Sequence, residues 1–334
     1  MTQPTAAMRE AMRTAVVGDD VCEEDPTAIR LQELAAERVG TQAALFVPSG
    51  TFGNQCAIAV HTRPGDEMIL SDTIHVVEYE AAAAASLWGV QSRTVVPTRT
   101  TYLTADDIVP RLRTVEDIHY PRTGLIVLEN ALTGGTVMPL DAMADVAALA
   151  RAHGIPVHLD GARLFNAAVA LGVPASEIAQ HCDSVTFCLS KGLGAPVGSL
   201  LCGTNEFIKK ARRQRKMMGG GMRQVGVLCA PGIIALEEGP DWLETDHQNA
   251  RLLAGLFAEV PGIVIDVEQV HINMVFLHVD GEARSETDLA MFLNARDFNV
   301  YPPEKFGLRF MLSREVDEND VRELAAVVAE YMSR

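Results

Sequence analysis

Three apolar segments of the sequence each end in polar residues that could act on a small molecule. The segments and their polar ends are Leu125–Leu128 with Glu129-Asn130, Ile155–Leu159 with Asp160-Gly161-Ala162-Arg163, and Ser184–Leu189 with Ser190-Lys191-Gly192. In an open parallel sheet, ligands bind outside the carboxyl ends of the strands. If the three segments are neighbouring strands, an acid, an arginine and a lysine meet in one cleft.

Lys191 and Asp160 together predict a specific chemistry. Lys191 precedes a glycine-rich run that extends to Gly198. Small neighbours can leave a lysine desolvated, which lowers its pKa and frees the amine for a Schiff base. Pyridoxal 5'-phosphate (PLP) forms such a bond and needs an acid at its pyridine nitrogen, for which Asp160, 31 residues upstream, is the candidate. Taken singly, Asp160 would be a helix N-cap and Lys191 a solvated side chain.

A phosphate group would also need a binding site. Ser49-Gly50-Thr51 opens a helix that we predict from Phe52 to Val60. The segment offers backbone N–H groups, a hydroxyl and the positive end of the helix dipole. Many helices begin at Ser or Thr, so this segment supports a phosphate site only in combination with Lys191 and Asp160.

The elements that must position these residues alternate between strands and helices. A helix capped by Asp25 ends at Gly40, and another spans Leu140–His153 between two apolar strands. This order predicts an α/β fold with a large, mainly parallel sheet covered by helices on both faces. A helix from Asp241 to about Val260 then begins a smaller α+β domain. We expect domains at residues 17–240 and at 241–334, with 1–16 joining the second.

The composition excludes several classes of protein. The net charge of −16 opposes binding to nucleic acid or to an anionic membrane, and no stretch approaches about 20 apolar residues. The segment from Met1 to Arg13 lacks the apolar run of a signal peptide. None of the six cysteines has zinc-site spacing, so we predict no metal and expect buried, reduced thiols in a cytoplasmic protein.

Several longer motifs, in order along almost the whole chain, resemble the low-specificity L-threonine aldolases. This family belongs to the β-eliminating-lyase group of fold-type-I PLP enzymes. The motifs are Val17-Gly18-Asp19-Asp20 with Glu24-Asp25-Pro26-Thr27, Val47-Pro48-Ser49-Gly50-Thr51, Asp160-Gly161-Ala162-Arg163-Leu164-Phe165-Asn166-Ala167, Leu189-Ser190-Lys191-Gly192-Leu193-Gly194-Ala195-Pro196-Val197-Gly198-Ser199, Arg215-Lys216-Met217, Gly219-Gly220-Gly221-Met222-Arg223-Gln224, and Asn273-Met274-Val275-Phe276.

The resemblance implies a role for each matching position. Lys191 carries the cofactor, Asp160 pairs with the pyridine nitrogen, and His75 stacks on the ring, where it can act as an acid or base. The remaining matches are Ser49, Gly50 and Thr51 at the phosphate, Arg163 near the cofactor and the substrate carboxylate, Arg309 at that carboxylate, and Lys216 and Arg223 at a neighbouring subunit's phosphate pocket. The alternatives without a function are a surface-loop histidine for His75 and an exposed strand residue for Arg309. We expect His158 to be a packed residue behind the site.

Three positions depart from the family pattern. A Ser-Asp-Thr segment usually precedes the residues that match Thr2-Gln3-Pro4, and a longer natural N-terminus would supply it. Cys22 stands where the family has tyrosine. Leu132 replaces a second active-site histidine that usually follows Glu129-Asn130.

The predicted reaction is therefore retro-aldol cleavage of a β-hydroxy-α-amino acid, such as threonine or allo-threonine, to glycine and an aldehyde. Two other PLP reactions stay open, namely β-elimination and cleavage of phenylserine-like substrates. A non-catalytic regulatory protein of the same fold is the alternative from another class. The resemblance also implies a homodimer or homotetramer with shared active sites, and the basic run from Lys209 to Lys216 is otherwise a solvated helix face.

Overall fold

A computed structural model of the chain describes residues 2–115, 117–281 and 284–334. The chain divides into two compact units. The larger comprises Gln3–Thr133 and Met138–Pro240, and the smaller comprises Gly134–Val137 and Asp241–Arg334 with the extreme N-terminus. Our predicted domains differ from these units in residues 134–137, which group with the smaller unit, and in residues 3–16. Residues 3–16 include a helix whose Met8 is fully buried, and they group with the larger unit.

The larger unit is an α/β unit built on one seven-stranded sheet. Its strands are β1 (Ala43–Val47), β2 (Glu67–Ser71), β3 (Gln91–Val95), β4 (Thr123–Glu129), β5 (Val157–Asp160), β6 (Ser184–Cys188) and β7 (Ser199–Gly203). They lie in the order β1-β7-β6-β5-β4-β2-β3. Strand β7 pairs antiparallel with both of its neighbours, and the other pairs are parallel. The predicted, mainly parallel sheet is confirmed.

Ten α-helices lie within the described residues of this unit, and five of them begin with a side-chain cap. The ten helices are α1 (Ala6–Thr14), α2 (Pro26–Val39), α3 (Gly50–His61), α4 (His75–Glu78), α5 (Ala83–Trp88), α6 (Ala105–Ile108), α7 (Leu140–Ala152), α8 (Leu164–Leu171), α9 (Ala175–Ala179) and α10 (Asn205–Met217). The Asp25 carboxylate accepts a hydrogen bond from the Ala28 N–H at 2.9 Å, and Gly40 ends α2 in the left-handed conformation. Both ends of this helix are as predicted.

The long helix α11 (Gly226–Ala258) corrects one prediction. We expected a helix to begin at Asp241, because Gly239-Pro240 normally ends a helix. Instead α11 runs through both Pro231 and Pro240. A proline costs an internal helix roughly 3 kcal/mol, and the burial of residues along α11, such as Leu236 and Leu243, offsets that cost.

The smaller unit is an α+β unit with its own core. A three-stranded antiparallel sheet contains β8 (Ile263–Val264), β9 (Met274–Val279) and β10 (Leu308–Met311), and α12 (Glu286–Asn294) and α13 (Glu318–Ser333) complete the unit. Phe257, Leu277 and Phe310 are among its buried core residues. Among the described residues, no helix combines the length and apolar content needed to cross a bilayer.

Asp246 is an unusual acid in this smaller unit. It is buried, and among the described residues neither carboxylate oxygen has a hydrogen-bond partner. Burial raises its pKa to about 7, and the negative charge of Glu315 adds to that effect. In the unfolded chain the carboxyl group ionises near its ordinary pKa of 3.8. Unfolding therefore releases a proton between about pH 4 and pH 7, and this residue makes the fold less stable as the pH rises.

We predict that Asp246→Asn stabilises the protein at pH 8 and that the gain disappears toward pH 4. The neutral amide avoids a buried charge whose cost is roughly 3–4 kcal/mol at the higher pH. Differential scanning calorimetry of both proteins from pH 4 to pH 8 measures the difference. Asp145→Asn, on the exposed side of α7, is the control for losing one negative charge. A gain in melting temperature that is equal at both pH values would contradict the assignment.

Candidate active site

Polar residues meet at the carboxyl edge of three adjacent strands. Glu129 ends β4, Asp160 ends β5, and these two residues lie opposite each other in the parallel register. Strand β6 pairs with β5 on the other side, and Lys191 follows β6 by three residues. The predicted neighbourhood of these three strand ends is thus present in the larger unit.

His75 and Asp160 converge on a buried carboxylate, Glu80. One ligand atom from each residue lies within 4.8 Å of the other two. His75 Nδ1 is 3.0 Å from Glu80 Oε1, and because a carboxylate only accepts, Nδ1 carries the hydrogen. The lone pair of the neutral ring is then on Nε2. Glu80 therefore fixes which nitrogen of His75 can take up a proton.

Asn54 joins the two buried acids. Its Nδ2 group donates to Glu80 Oε1 at 2.9 Å and to Asp160 Oδ2 at 2.7 Å. Gln55 Nε2 also donates to Glu80, and the Ala162 N–H donates to Asp160 Oδ1. Hydrogen bonds of this kind compensate for the desolvation of a buried charge.

The ionisable groups of the site change one another's pKa values. The hydrogen bond to Glu80 is the largest effect on His75 and raises its pKa against the opposing effect of burial. Burial raises the pKa of Asp160, and Glu80 raises it further, whereas the positive charge of Lys191 lowers it. Burial also raises the pKa of Glu129 to about 7, with Asp160 contributing. Lys191 is thus close enough to act electrostatically on both His75 and Asp160.

The start of α3 is the segment that the sequence predicts as a phosphate site. Ser49 caps the helix by accepting a hydrogen bond from the Phe52 N–H. A side-chain Cβ at Gly50 would come within 2.9 Å of the Cys188 sulfur at the end of β6, so only glycine allows this approach. The first turn of α3 therefore lies beside the strand that leads to Lys191.

The other predicted site residues have different surroundings. Arg163 is half-buried directly before α8, and Arg309 in the smaller unit forms an ion pair with Glu304 at 3.0 Å. Lys216 is exposed at the end of α10, and Arg223 is exposed and pairs with Asp19. The predicted solvated face of α10 does not include Arg215, which is buried against Asp20.

The sequence analysis missed Asn54, Glu80 and Gln55. No motif marks them, because an acid five residues after a histidine and two amides within a helix are common arrangements. Asn54 and Gln55 join the site when α3 packs against the sheet, and Glu80 joins it by accepting hydrogen bonds from both. His158, predicted to be packed behind the site, is fully buried there and contacts Asn54 Oδ1.

Comparison with known proteins agrees with this geometry. The profile of the beta-eliminating lyase family matches residues 1–280. The chain belongs to this family. It is 40% identical over 334 residues to a low specificity L-threonine aldolase of Escherichia coli, covering 100% of this chain and 98% of that protein. It is 42% identical over 326 residues to low-specificity L-threonine aldolase 1 of Arabidopsis thaliana, covering 96% and 91%.

A solved threonine aldolase of Leishmania major has the same fold. The TM-score is 0.82 at 21% identity, and the match covers 99% of this chain and 97% of that one. The predicted fold type I of PLP enzymes is confirmed, and membership of the beta-eliminating lyases makes the chain a PLP-dependent lyase. The residues present fit that cofactor, since the larger unit combines a buried carboxylate held by Asn54, a nearby lysine and a glycine cradle at a helix start.

We predict that Glu80→Gln lowers the pKa of His75. The substitution removes the carboxylate whose hydrogen bond raises that pKa, while the amide keeps the size of the side chain. An NMR titration of ¹⁵N-labelled histidine in the apoprotein measures the midpoint directly. Glu37→Gln on α2 is the control, since it removes one negative charge elsewhere. An unchanged midpoint in Glu80→Gln would show that Glu80 does not act on His75.

Proposed function

We propose that this lyase cleaves β-hydroxy-α-amino acids, such as L-threonine and L-allo-threonine, to glycine and an aldehyde. The observation that carries the proposal is that His75 and Asp160 lie close together and both experience the positive charge of Lys191. The relatives of the chain are named threonine aldolases. When bound, PLP supplies an electron sink for the breaking Cα–Cβ bond.

Lys191, Asp160 and His75 each have a task that their surroundings support. Lys191 provides the amine that holds the cofactor. Asp160, which accepts from Asn54 and the Ala162 N–H, would face the pyridine nitrogen of bound PLP and favour its protonated form. His75 moves a proton at Nε2, because Glu80 occupies Nδ1. Retro-aldol cleavage needs a base for the β-hydroxyl proton and an acid for Cα, and His75 is the candidate for either step.

Other assignments complete the proposal. We assign the phosphate to Ser49, Gly50 and Thr51, and the substrate carboxylate to Arg163 and Arg309. We assign Lys216 and Arg223 to the cofactor pocket of a second subunit in a homodimer or homotetramer. A cationic segment in a chain of net charge −16 supports binding of an anion there. We also propose that the protein acts in the cytoplasm.

We predict that Lys191→Ala abolishes turnover and removes the visible absorbance that bound PLP gives the wild-type protein. Alanine has no amine to bond the cofactor. Absorbance spectra and a glycine-release assay on the purified variant measure both effects. Lys210→Ala, on the exposed face of α10, is the control for losing a lysine. Full activity in Lys191→Ala would overturn the proposed function.

A substrate panel separates this function from its alternatives. The proposed reaction yields glycine and an aldehyde, whereas β-elimination yields ammonia and a keto acid. A non-catalytic protein of this fold would yield neither pair of products. Assaying threonine, allo-threonine, phenylserine and serine for all four products therefore decides among the three.

Leu132 supports a preference for less polar β-substituents. It is half-buried and lines a small, mainly apolar cavity with Ile74, Leu103 and Met138, which Glu129 also borders. Leucine can neither donate nor accept a hydrogen bond. This side of the cavity therefore offers apolar contact in place of the histidine that the family usually has.

We predict that the wild-type protein cleaves threonine weakly and phenylserine comparatively well. Leu132→His should raise kcat/KM for threonine, since general acid–base help is typically worth about 10²- to 10⁴-fold. Leu132→Met keeps an apolar side chain and serves as the control. A wild-type protein that strongly prefers threonine, together with no gain in Leu132→His, would contradict this account of the cavity.

A further inference from the structure

A chain of hydrogen-bonded polar side chains, buried except for the half-buried residue at its far end, runs from Asp160 into the larger unit and away from the groups assigned to chemistry. Its members are Asn54, His158, Ser184 and His61. His158 lies two residues before Asp160 on β5, and Ser184 is the first residue of β6. Asn54 and His61 lie two turns apart on α3. The mechanism above uses Asn54 as a donor to Asp160 and gives the other three residues no role.

The donor and the acceptor of each hydrogen bond in this chain of side chains can be assigned from Asn54, at the active-site end. Both hydrogens of the Asn54 amide point at carboxylates, so its Oδ1 atom must face His158 Nε2, 3.1 Å away. An oxygen only accepts, and His158 Nε2 therefore carries the hydrogen. In a neutral imidazole the other nitrogen is then an acceptor.

The same logic continues to His61. The Ser184 hydroxyl lies 2.9 Å from His158 Nδ1 and donates to it, so the Ser184 oxygen accepts from His61 Nε2 at 2.8 Å. Burial lowers the pKa of His158 to about 3 and that of His61 to about 4, which keeps both rings neutral. Every donor in the chain points toward Asp160.

Close packing of α3 on the sheet makes this chain possible. A Cβ at Gly53 would lie 2.6 Å from the methyl group of Thr186 on β6, so glycine lets the helix approach the strand. The adjacent residue, Asn54, then reaches both Asp160 and His158. Asn54, His158 and Ser184 are all buried, and water does not compete for their hydrogen bonds.

We propose that His61, Ser184 and His158 are positioning residues, which hold the Asn54 amide in the one orientation that donates to Asp160 and Glu80. A reversed amide would place its oxygen against two carboxylates and its NH₂ group against the N–H of His158. The chain therefore keeps the Asp160 carboxylate oriented for the pyridine nitrogen of the cofactor. This inference rests on the proposed function for its purpose, although its hydrogen-bond directions concern the protein alone.

The first test reads the imidazole tautomers of the wild-type apoprotein. In ¹⁵N-histidine spectra at neutral pH, His158 should show a protonated Nε2 and an unprotonated Nδ1. The His158→Gln variant identifies the resonances by their loss. The competing tautomer, with Nδ1 protonated toward Ser184, would overturn the proposal, and this measurement needs no variant other than the one used for assignment.

The second test compares matched hydroxyl deletions at two strand starts. Ser184→Ala breaks the chain, whereas Thr123→Val removes a buried hydroxyl from the first residue of β4, where it bonds Glu67. We expect that in Ser184→Ala the proton of His158 is no longer confined to Nε2, so that the Nδ1-protonated tautomer also appears. We also expect PLP binding to weaken about tenfold, as loss of a supporting outer contact does at metal sites. Ser184→Thr keeps the hydroxyl and should restore both properties. Equilibrium dialysis of PLP against each folded apoprotein measures the affinity.

The outcomes separate this proposal from the proposed function. Unchanged PLP affinity and an unchanged tautomer in Ser184→Ala would overturn the chain as a positioning device. An equal loss of affinity in Thr123→Val would do the same, since it would indicate general destabilisation. A wild-type protein that binds no PLP would instead overturn the proposed function, while the imidazole resonances would still support or contradict the hydrogen-bond directions.

Discussion

One amide group between two buried carboxylates is the constraint on which the site depends. Glu80 and Asp160 are both almost inaccessible to water, and one oxygen of each lies within 4.8 Å of the other. Two negative charges this close repel each other strongly in a poorly polarisable interior. The Asn54 Nδ2 group donates one hydrogen to each acid and so makes their proximity tolerable. The remaining donors, from Gln55, His75 and the backbone of Ala162, add to this compensation.

This arrangement gives each acid a separate task. Glu80 is enclosed by side-chain donors and contacts His75, so its charge determines the tautomer and pKa of an imidazole. Asp160 ends a strand and experiences the positive charge of Lys191, which suits it to a cationic ring nitrogen. The two carboxylates are thus suited to different tasks because their hydrogen-bond partners and neighbouring charges differ.

The sequence predicted the parts of this structure whose signals are local. Lys191 and Asp160 follow apolar runs, and the Asp25 cap and Gly40 stop of α2 are encoded within a few residues. The pairing of Asn54 with Asp160 was out of reach, because it joins residues 106 positions apart through the packing of α3. The continuity of α11 through Pro240 was equally hidden, since burial outweighed a local rule there. Arg215 looked like its exposed basic neighbours until its partner Asp20, 195 residues away, was in view.

Helix α3 serves both ends of the proposed cofactor site, which has a mechanical consequence. Its first turn carries the proposed phosphate site and its second turn carries Asn54, so the two are parts of one helix about 18 Å long. A shift or tilt of α3 therefore moves its first turn and Asn54 together, and neither can move without the other while the helix stays intact. Insertions near Thr62 can be absorbed beyond the helix, whereas an insertion between Gly50 and Asn54 would rotate the amide away by about 100° per residue. The geometry of the site therefore depends on the spacing along this helix more than on the length of the loops around it.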